Sequence, residues 1–505
     1  MSSLFCSRAA RAAFLPLAPL ALGAHLVACG SPPASSTAHA PPTSRASASA
    51  PAASASLAPR ESPPPIGALP PFSLPRVTRE SLVDGIRFAL VTRPSAPLIE
   101  THFVVRDATQ LVDVGTAHVL AAYLDETIGK SATQLEATGS RLSIELHGES
   151  IEITLTAPKK AFRDALLLAL PLAASPKWDA AVFARVKSRA SDAARARAKT
   201  HGQSSVGTAA LRELGFVGRR PSAAEVNAVT LEKAKELHQK AFVQKNVSAV
   251  VVGDIELDET KAALMRPSSS FSSRPAPTRS ARAATLPTET RVLVIDRPKS
   301  AQSSVLIAFG APAMNKESGT SAELLVSCLG DSNALSNRLF SDVREKRGLA
   351  YVLGSDILAL GSDSRPWFTY AATQTAKTGE TVAALIETIH GLPSLRADEV
   401  DSAKRLATAN LAAKMETARG LADLIVLSER FALAENHWDE LSATIARATV
   451  PSLLETLRAI DTTHPLIVVN GDADSIVPML RSFGPISILD PLDFHLVRTE
   501  SKASP

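Results

Sequence analysis

Two stretches of the chain share one pattern in the same order, 218 residues apart. A run of small and β-branched apolar residues ends in Gly-Asp at 253–254, and a second such run ends in Gly-Asp at 471–472. Each run follows a helix-like stretch, at 231–242 in the first case and at 451–460 in the second. Several matches at nearly one spacing indicate a duplicated domain.

Composition divides the chain at two places. Residues 30–75 are dominated by Ser, Ala and Pro, which cannot bury a core, so we predict a disordered tether there. A second stretch rich in Ser, Pro, Arg and Thr predicts a linker at 267–289. The predicted domains are therefore 76–266 and 290–495, and 496–505 forms a tail.

Within each block, period-2 and helical patterns cluster without strict alternation. Residues 85–91, 141–146 and 151–155 alternate like half-buried strands, whereas 178–199 and 398–433 are long Ala-rich helical stretches. This arrangement predicts an α+β fold in which each of two homologous domains has a largely antiparallel sheet with helices.

The N-terminus has the features of an export signal. Arg8 and Arg11 precede an apolar run at 12–28 that is short for a membrane span, and Cys29 follows small residues. This segment resembles the lipobox of bacterial lipoproteins, so we predict a signal peptide at 1–29, lipidation of Cys29 and a periplasmic chain anchored to a bacterial membrane, with Gly30 compatible with outer-membrane sorting. The alternative is an ordinary signal peptide with a chance cysteine.

The charge pattern and the cysteine content speak against nucleic-acid binding and against an intramolecular disulfide. The formal net charge is +4, aromatic residues make up 4% of the chain, and no basic stripe interleaved with aromatics occurs, so nucleic acid is not an expected partner. After processing at Cys29, Cys328 would be the one cysteine left, which leaves no intramolecular disulfide. Cys328 lies in an apolar run and is expected to be a buried small side chain.

The most specific segment is 335–351, which reads LSNRLFSDVREKRGLAY. It resembles the second-domain signature of the pitrilysin/insulinase family of zinc peptidases, whose chains contain two homologous α+β domains. The resemblance implies that Arg344 and Tyr351 reach into a catalytic chamber and donate hydrogen bonds to the substrate near the scissile bond. The alternative is that Arg344 pairs with Asp342 or Glu345 and that Tyr351 is a packed strand residue.

The zinc motif of that family is degenerate in this sequence. The family supplies two ligands and a general base from His-x-x-Glu-His on a first-domain helix, and a third ligand from a Glu on a later helix. Residues 115–122 read GTAHVLAA, so His118 remains, but Ala121 stands at the base and Ala122 at the second ligand. No Glu occurs between 154 and 212. We therefore expect no metal in this chain and interpret His118 as a relic or a core histidine.

The resemblance favours one division of labour and leaves two alternatives. Non-catalytic family members pair with a zinc-bearing homologue and close around an unfolded peptide, which docks along a sheet edge. The leading hypothesis is the non-catalytic, substrate-binding subunit of such a heterodimeric endopeptidase at the cell envelope, with zinc in the partner alone. The alternatives are a peptide-binding or scaffold lipoprotein without proteolysis, and an active metallopeptidase with an unorthodox site.

Overall fold

A computed structural model describes Gly67 and residues 73–94, 96–199, 202–278, 284–314, 317–330, 337–360 and 365–501. The predicted signal peptide, with Cys29, and nearly all of the predicted tether lie outside these residues. In the part of the chain that the structure describes, no helix has the length and apolar character needed to cross a membrane.

The first half of the chain contains six strands and eight helices among its described residues. In chain order they are β1 (Thr78–Ser81), β2 (Arg87–Thr92), β3 (Leu98–Val105), α1 (Ala108–Leu111), α2 (Val114–Ala137), β4 (Arg141–His147), β5 (Ser150–Pro158), α3 (Phe162–Ala174), α4 (Ala180–Lys199), α5 (Gln203–Glu213), α6 (Ala223–Asn227), α7 (Leu231–Ala241), β6 (Val247–Gly253) and α8 (Leu257–Ser268). The three strands and the long helix predicted in this half are confirmed as β2, β4, β5 and α4.

The second half repeats this order with additions at its end. Its described elements are β7 (Arg291–Asp296), β8 (Gln302–Ala311), α9 (Glu317–Gly330), a π-helical segment (Phe340–Lys346), β9 (Ala350–Ile357), β10 (Arg365–Gln374), α10 (Thr378–His390), α11 (Ala397–Met415), α12 (Ala418–Phe431), α13 (His437–Arg447), α14 (Val450–Arg458), β11 (Leu466–Gly471), α15 (Ala473–Leu480), β12 (Ile486–Leu489) and β13 (Leu496–Glu500).

The two sheets share the order of five strands, β2-β6-β3-β5-β4 in the first and β7-β11-β8-β10-β9 in the second. The first is β1-β2-β6-β3-β5-β4 and the second is β13-β12-β7-β11-β8-β10-β9. Strands β2 and β6 are parallel, as are β7 and β11. The pairs that follow them, from β6 to β4 in the first sheet and from β11 to β9 in the second, are antiparallel. The duplicated, largely antiparallel α+β fold predicted from the sequence is therefore confirmed.

The repeated glycines have a steric cause. Gly253 and Gly471 end the central strands β6 and β11, each beside a neighbouring antiparallel strand. A Cβ atom on Gly253 would lie 2.9 Å from Ile99 Cα, and one on Gly471 would lie 2.6 Å from Ser303 Oγ. Since real Cβ atoms do not approach that closely, the residue without a side chain allows both strand pairs to close.

Each half supplies a helix that covers the sheet of the other half. Helix α5 packs on strands β8 and β11, where Val206 and Leu214 join a core with Leu306 and Val468. Helix α12 packs on β3 and β6 of the first sheet. The described residues from 73 onwards accordingly belong to one compact unit.

Polar contacts reinforce this exchange at α12. Arg430 at its end donates from Nη2 to the carbonyl of His147, at 2.8 Å, and lies 3.5 Å from Glu152 Oε1. Arg93, after β2, donates to the carbonyl of Met415 at 2.7 Å. These contacts join residues more than 270 positions apart, so the two halves are held by both apolar and polar contacts.

Candidate functional site

Arg344 and Tyr351 lie against each other. The guanidinium carbon of Arg344 is 4.2 Å from the ring centroid of Tyr351 and 4.6 Å from that of Phe340. Nη1 of Arg344 is 3.5 Å from the carbonyl oxygen of Tyr351. Two aromatic faces therefore hold one planar cation, a contact worth about 0.5–1 kcal/mol per ring at an exposed position.

The segment that carries Arg344 is fixed at both ends. At its start, Arg338 makes a two-pronged ion pair with Glu399 of α11, with N···O distances of 2.7 and 2.8 Å, and donates to the carbonyl of Gly391. Near its end, Arg347 binds Asp342 at 3.2 Å and Glu387 of α10 at 2.8 Å. Asp342 is therefore engaged by Arg347, and the alternative pairing of Arg344 with Asp342 is not what the structure describes.

Tyr351 is not a packed strand residue. It is 76% exposed, and its neighbour Val352 is 53% exposed. Both lie on β9, the last strand at one edge of the seven-stranded sheet. A guanidinium, a phenol and the outermost strand of the described sheet therefore lie together, and all three can donate hydrogen bonds to the backbone of an extended peptide.

The remnant of the zinc motif lies on α2. Ala121 is 2% exposed and Ala122 is partly buried against the first core, and neither has a ligand atom. Asp192, the one acid in the middle of α4, is an exposed residue that binds Arg195 at 3.2 Å. A zinc ion needs three protein ligands, so the side chains present here do not fit a zinc centre.

The charges around His118 also oppose a cation. Burial, and then the guanidinium groups of Arg197 and Arg220, lower the pKa of His118 to about 4. Arg197 lies near the end of α4. In the family that the sequence resembles, the corresponding helix supplies the third zinc ligand. Two fixed positive charges close to the remaining histidine would repel a divalent metal.

The neighbouring acids of α2 have structural partners. The side chain of Asp125 accepts a hydrogen bond from the backbone of Ile144 at 2.8 Å. Glu126 lies 3.1 Å from Arg185 and 2.5 Å from Arg189. Neither acid replaces the missing ligands.

One group of possible metal ligands near the C-terminus was not predicted from the sequence. Asp490, Asp493 and His495 offer ligand atoms that all lie within 4.8 Å of one another. His495 binds Asp493 at 2.5 Å, and this hydrogen bond raises the pKa of the imidazole. The spacing of Asp493 and His495 could have indicated such a group, but exposed acidic groups of this kind are common on protein surfaces.

Cys328 matches its expected role. It is 5% exposed on α9, and burial, with a smaller effect of Glu399, raises the pKa of its thiol to about 12. A thiol that stays protonated is not a nucleophile. Cys29, the predicted lipidation site, lies outside the described residues.

The fold and the site define a class: a chain of two similar halves whose described residues at the zinc-motif positions do not supply three metal ligands. Residues 228–406 match the family model of the peptidase M16 inactive domain. None of the curated protein sequences matches the chain. The resemblance seen in the sequence is thus confirmed over residues 228–406, which are similar to that domain.

Solved structures share this fold at low sequence identity. The peptidase M16 inactive domain from Pseudomonas fluorescens is 19% identical, with a TM-score of 0.71, over 78% of this chain and 98% of that one. A protease from Helicobacter pylori is 16% identical, with a TM-score of 0.69, over 79% of this chain and 100% of that one. The periplasmic protease PqqL from Escherichia coli is 14% identical, with a TM-score of 0.61, over 82% of this chain and 48% of that one.

Proposed function

We propose that this chain is the non-catalytic, substrate-binding subunit of a heterodimeric pitrilysin-type zinc endopeptidase. The observation that carries the proposal is the stacked pair Arg344 and Tyr351, at the outermost strand of the described sheet, in a chain whose ligand positions 121 and 122 are alanines. The zinc and its ligands would belong to a homologous partner.

The chemistry assigned to the pair follows from its donors. The guanidinium of Arg344 and the hydroxyl of Tyr351 donate to a carbonyl oxygen of the bound peptide, and the same donors stabilise the negative charge that develops on that oxygen. Because two rings already orient the guanidinium, little side-chain entropy is lost on binding. One preorganised donor of this kind contributes about 10²–10³ in rate.

The unfolded peptide would extend along β9. An edge strand offers free backbone groups, so a peptide can add to the sheet without a fixed sequence. We further propose a periplasmic location with a lipid anchor at Cys29. The description of PqqL as a periplasmic protease supports the first part of that assignment.

A paired assay tests the proposal. The mature chain is assayed alone and with a homologue encoded nearby that contains His-x-x-Glu-His, on a quenched unstructured peptide with added zinc. We expect the mixture to cleave the peptide and this chain by itself not to cleave it. In the mixture, Arg344→Ala should lower kcat/KM by about 10²–10³, and Tyr351→Phe should lower it less. Arg481→Ala is the matched control, because Arg481 is an exposed arginine that pairs with Glu500 at 3.2 Å, away from the Arg344 segment.

The remaining outcomes separate the alternatives. Chelator-sensitive cleavage by this chain alone would contradict the assignment of zinc to the partner. Peptide binding that depends on Arg344 without cleavage in any mixture would favour a peptide-binding lipoprotein.

A further inference from the structure

A cavity lies between four helices of the second half, α9, α11, α12 and α13. Most of its wall is apolar and less than one-tenth exposed. The chief side chains of this wall are Leu324, Leu411, Leu424, Leu427, Trp438 and Ile445. The cavity is therefore formed by the packed interior of the helices and not by surface side chains.

The size of the cavity limits what can enter it. Its volume is about 50 Å³. One water molecule needs about 10–15 Å³ of such space, so there is room for about three to five waters or for one small ring of carbon atoms. A ligand of this cavity is therefore a small molecule of about six to eight non-hydrogen atoms.

The charged groups at the cavity are balanced by their neighbours. The guanidinium of Arg365 is fully buried, pairs with Glu323 and donates to two backbone carbonyls. Burial lowers the pKa of Lys414 to about 8, and carboxylates led by Asp423 and Glu323 act in the opposite direction. An ionised ligand would therefore lose its hydration without meeting an uncompensated charge.

Three uncharged polar side chains also line the cavity. Thr320 and Ser327 supply hydroxyl groups from α9, and Asn410 supplies an amide from α11. All three are half-buried, whereas the apolar wall is buried. Hydroxyl and amide groups both donate and accept hydrogen bonds, so this part of the lining can bind one polar group of a neutral ligand.

We propose that this cavity binds a small uncharged molecule with an apolar ring or branched body and a single hydroxyl or amide group. An apolar pocket between helices with a few polar groups is the usual form of a small-molecule site. None of the described residues that line the cavity belongs to 340–351, so the site is separate from Arg344 and Tyr351. The inference does not rest on the proposed function.

The test uses this chain alone. Phenol is the ligand, toluene is an analogue of the same size without the hydroxyl, and benzoate is a charged analogue. Methyl NMR signals of Leu411, Leu427 and Ile445 report binding at the cavity. We expect saturable shifts of these signals with phenol, with a Kd of about 1 mM or lower, and at least about tenfold weaker binding of benzoate.

Ala407→Met is the blocking variant. Ala407 is 6% exposed and lines the cavity, so a longer side chain would occupy the space of the ligand. Phenol binding should weaken more than about tenfold, and the melting temperature should stay the same or rise because a void is filled. Ala409→Met, on the exposed side of the same helix, is the matched control and should bind phenol like the unchanged chain.

Asn410→Leu tests the polar end of the site independently of the blocking variant. It keeps a side chain of similar size but removes the amide, so the affinity for phenol relative to toluene should fall about five- to tenfold. Equal binding of benzoate and phenol, undiminished phenol binding by a folded Ala407→Met chain, or an unchanged phenol-to-toluene ratio in Asn410→Leu would each overturn the proposal.

Discussion

A guanidinium held between two rings is a more effective donor than one on a freely moving side chain. At Arg344 the sequence identified the residue and its companion Tyr351, because both lie in a specific motif. Phe340 was not predicted as the second ring, although a spacing of four residues places positions 340 and 344 on one face of a helical segment and could have indicated it. The alanines at 121 and 122 could be predicted from the motif. The positions of Arg197 and Arg220 near His118 could not, because the fold brings them there.

One buried histidine makes stability depend on pH. His102 of β3 is 1% exposed; its Nδ1 lies 3.4 Å from Thr154 Oγ1 and its Nε2 lies 3.9 Å from Asp423 of α12. Burial, and then Arg419 and His147, lower its pKa from 6.5 to about 3. As the pH falls, the unfolded chain therefore takes up a proton on this histidine at a higher pH than the folded chain does. The stabilisation is complete above pH 6.5 and is lost as the pH falls from 6.5 towards 3.

We expect His102→Phe to reduce this acid sensitivity. At pH 4.5 the histidine should cost the unchanged chain about 2–3 kcal/mol relative to pH 7, and a phenylalanine cannot bind the proton. Urea unfolding at the two pH values measures the difference. Exposed His464→Asn is the control, and a His102→Phe chain that loses as much stability as the unchanged one would refute the prediction.

At the scale of elements, pattern identified the strands and helices but not all of their contacts. The stretches at 231–242 and 451–460 became α7 and α14, with their ends within about two residues of the prediction. The destination of α5 could not be predicted, because its apolar face fits any apolar sheet surface and periodicity does not say which. The predicted domain boundaries, 76–266 and 290–495, remain a prediction. Helices α5 and α12 pack across them onto the sheet of the other half.

Two strand-end glycines should respond differently to a methyl group. Gly253→Ala places Cβ against the backbone of Ile99, which cannot move alone, so we expect about 2–3 kcal/mol of destabilisation. Gly471→Ala meets the side-chain hydroxyl of Ser303, which can shift at the cost of the hydrogen bond it accepts from Thr378, so it should cost less than a clash with backbone. Chemical denaturation of both variants measures the order.

Helix α2 offers the matched control for these substitutions. Gly129 lies inside α2, and a Cβ atom there would meet nothing within 4 Å. Gly129→Ala should stabilise the chain by about 0.5–1 kcal/mol through helix propensity. If Gly253→Ala were equally harmless, the steric account of the repeated Gly-Asp steps would be wrong.

For the whole molecule, the exchange of α5 and α12 predicts that neither half folds alone. A chain of 73–278 would expose the sheet face that α12 covers, and 284–501 would expose the face that α5 covers. Each half expressed alone should be aggregated or should bind a hydrophobic dye. The two halves expressed together should purify as one complex, and a soluble, cooperatively melting single half would contradict this.

The interlocked halves also limit what such a chain can lose. The alanines at 121 and 122 pack in or against the core of the first half, so these two positions serve the packing without any polar side chain. The first half itself cannot be deleted, since the second sheet takes its cover from α5. A chain with this fold can therefore change the chemistry of one half without becoming shorter, because each half remains part of the scaffold of the other.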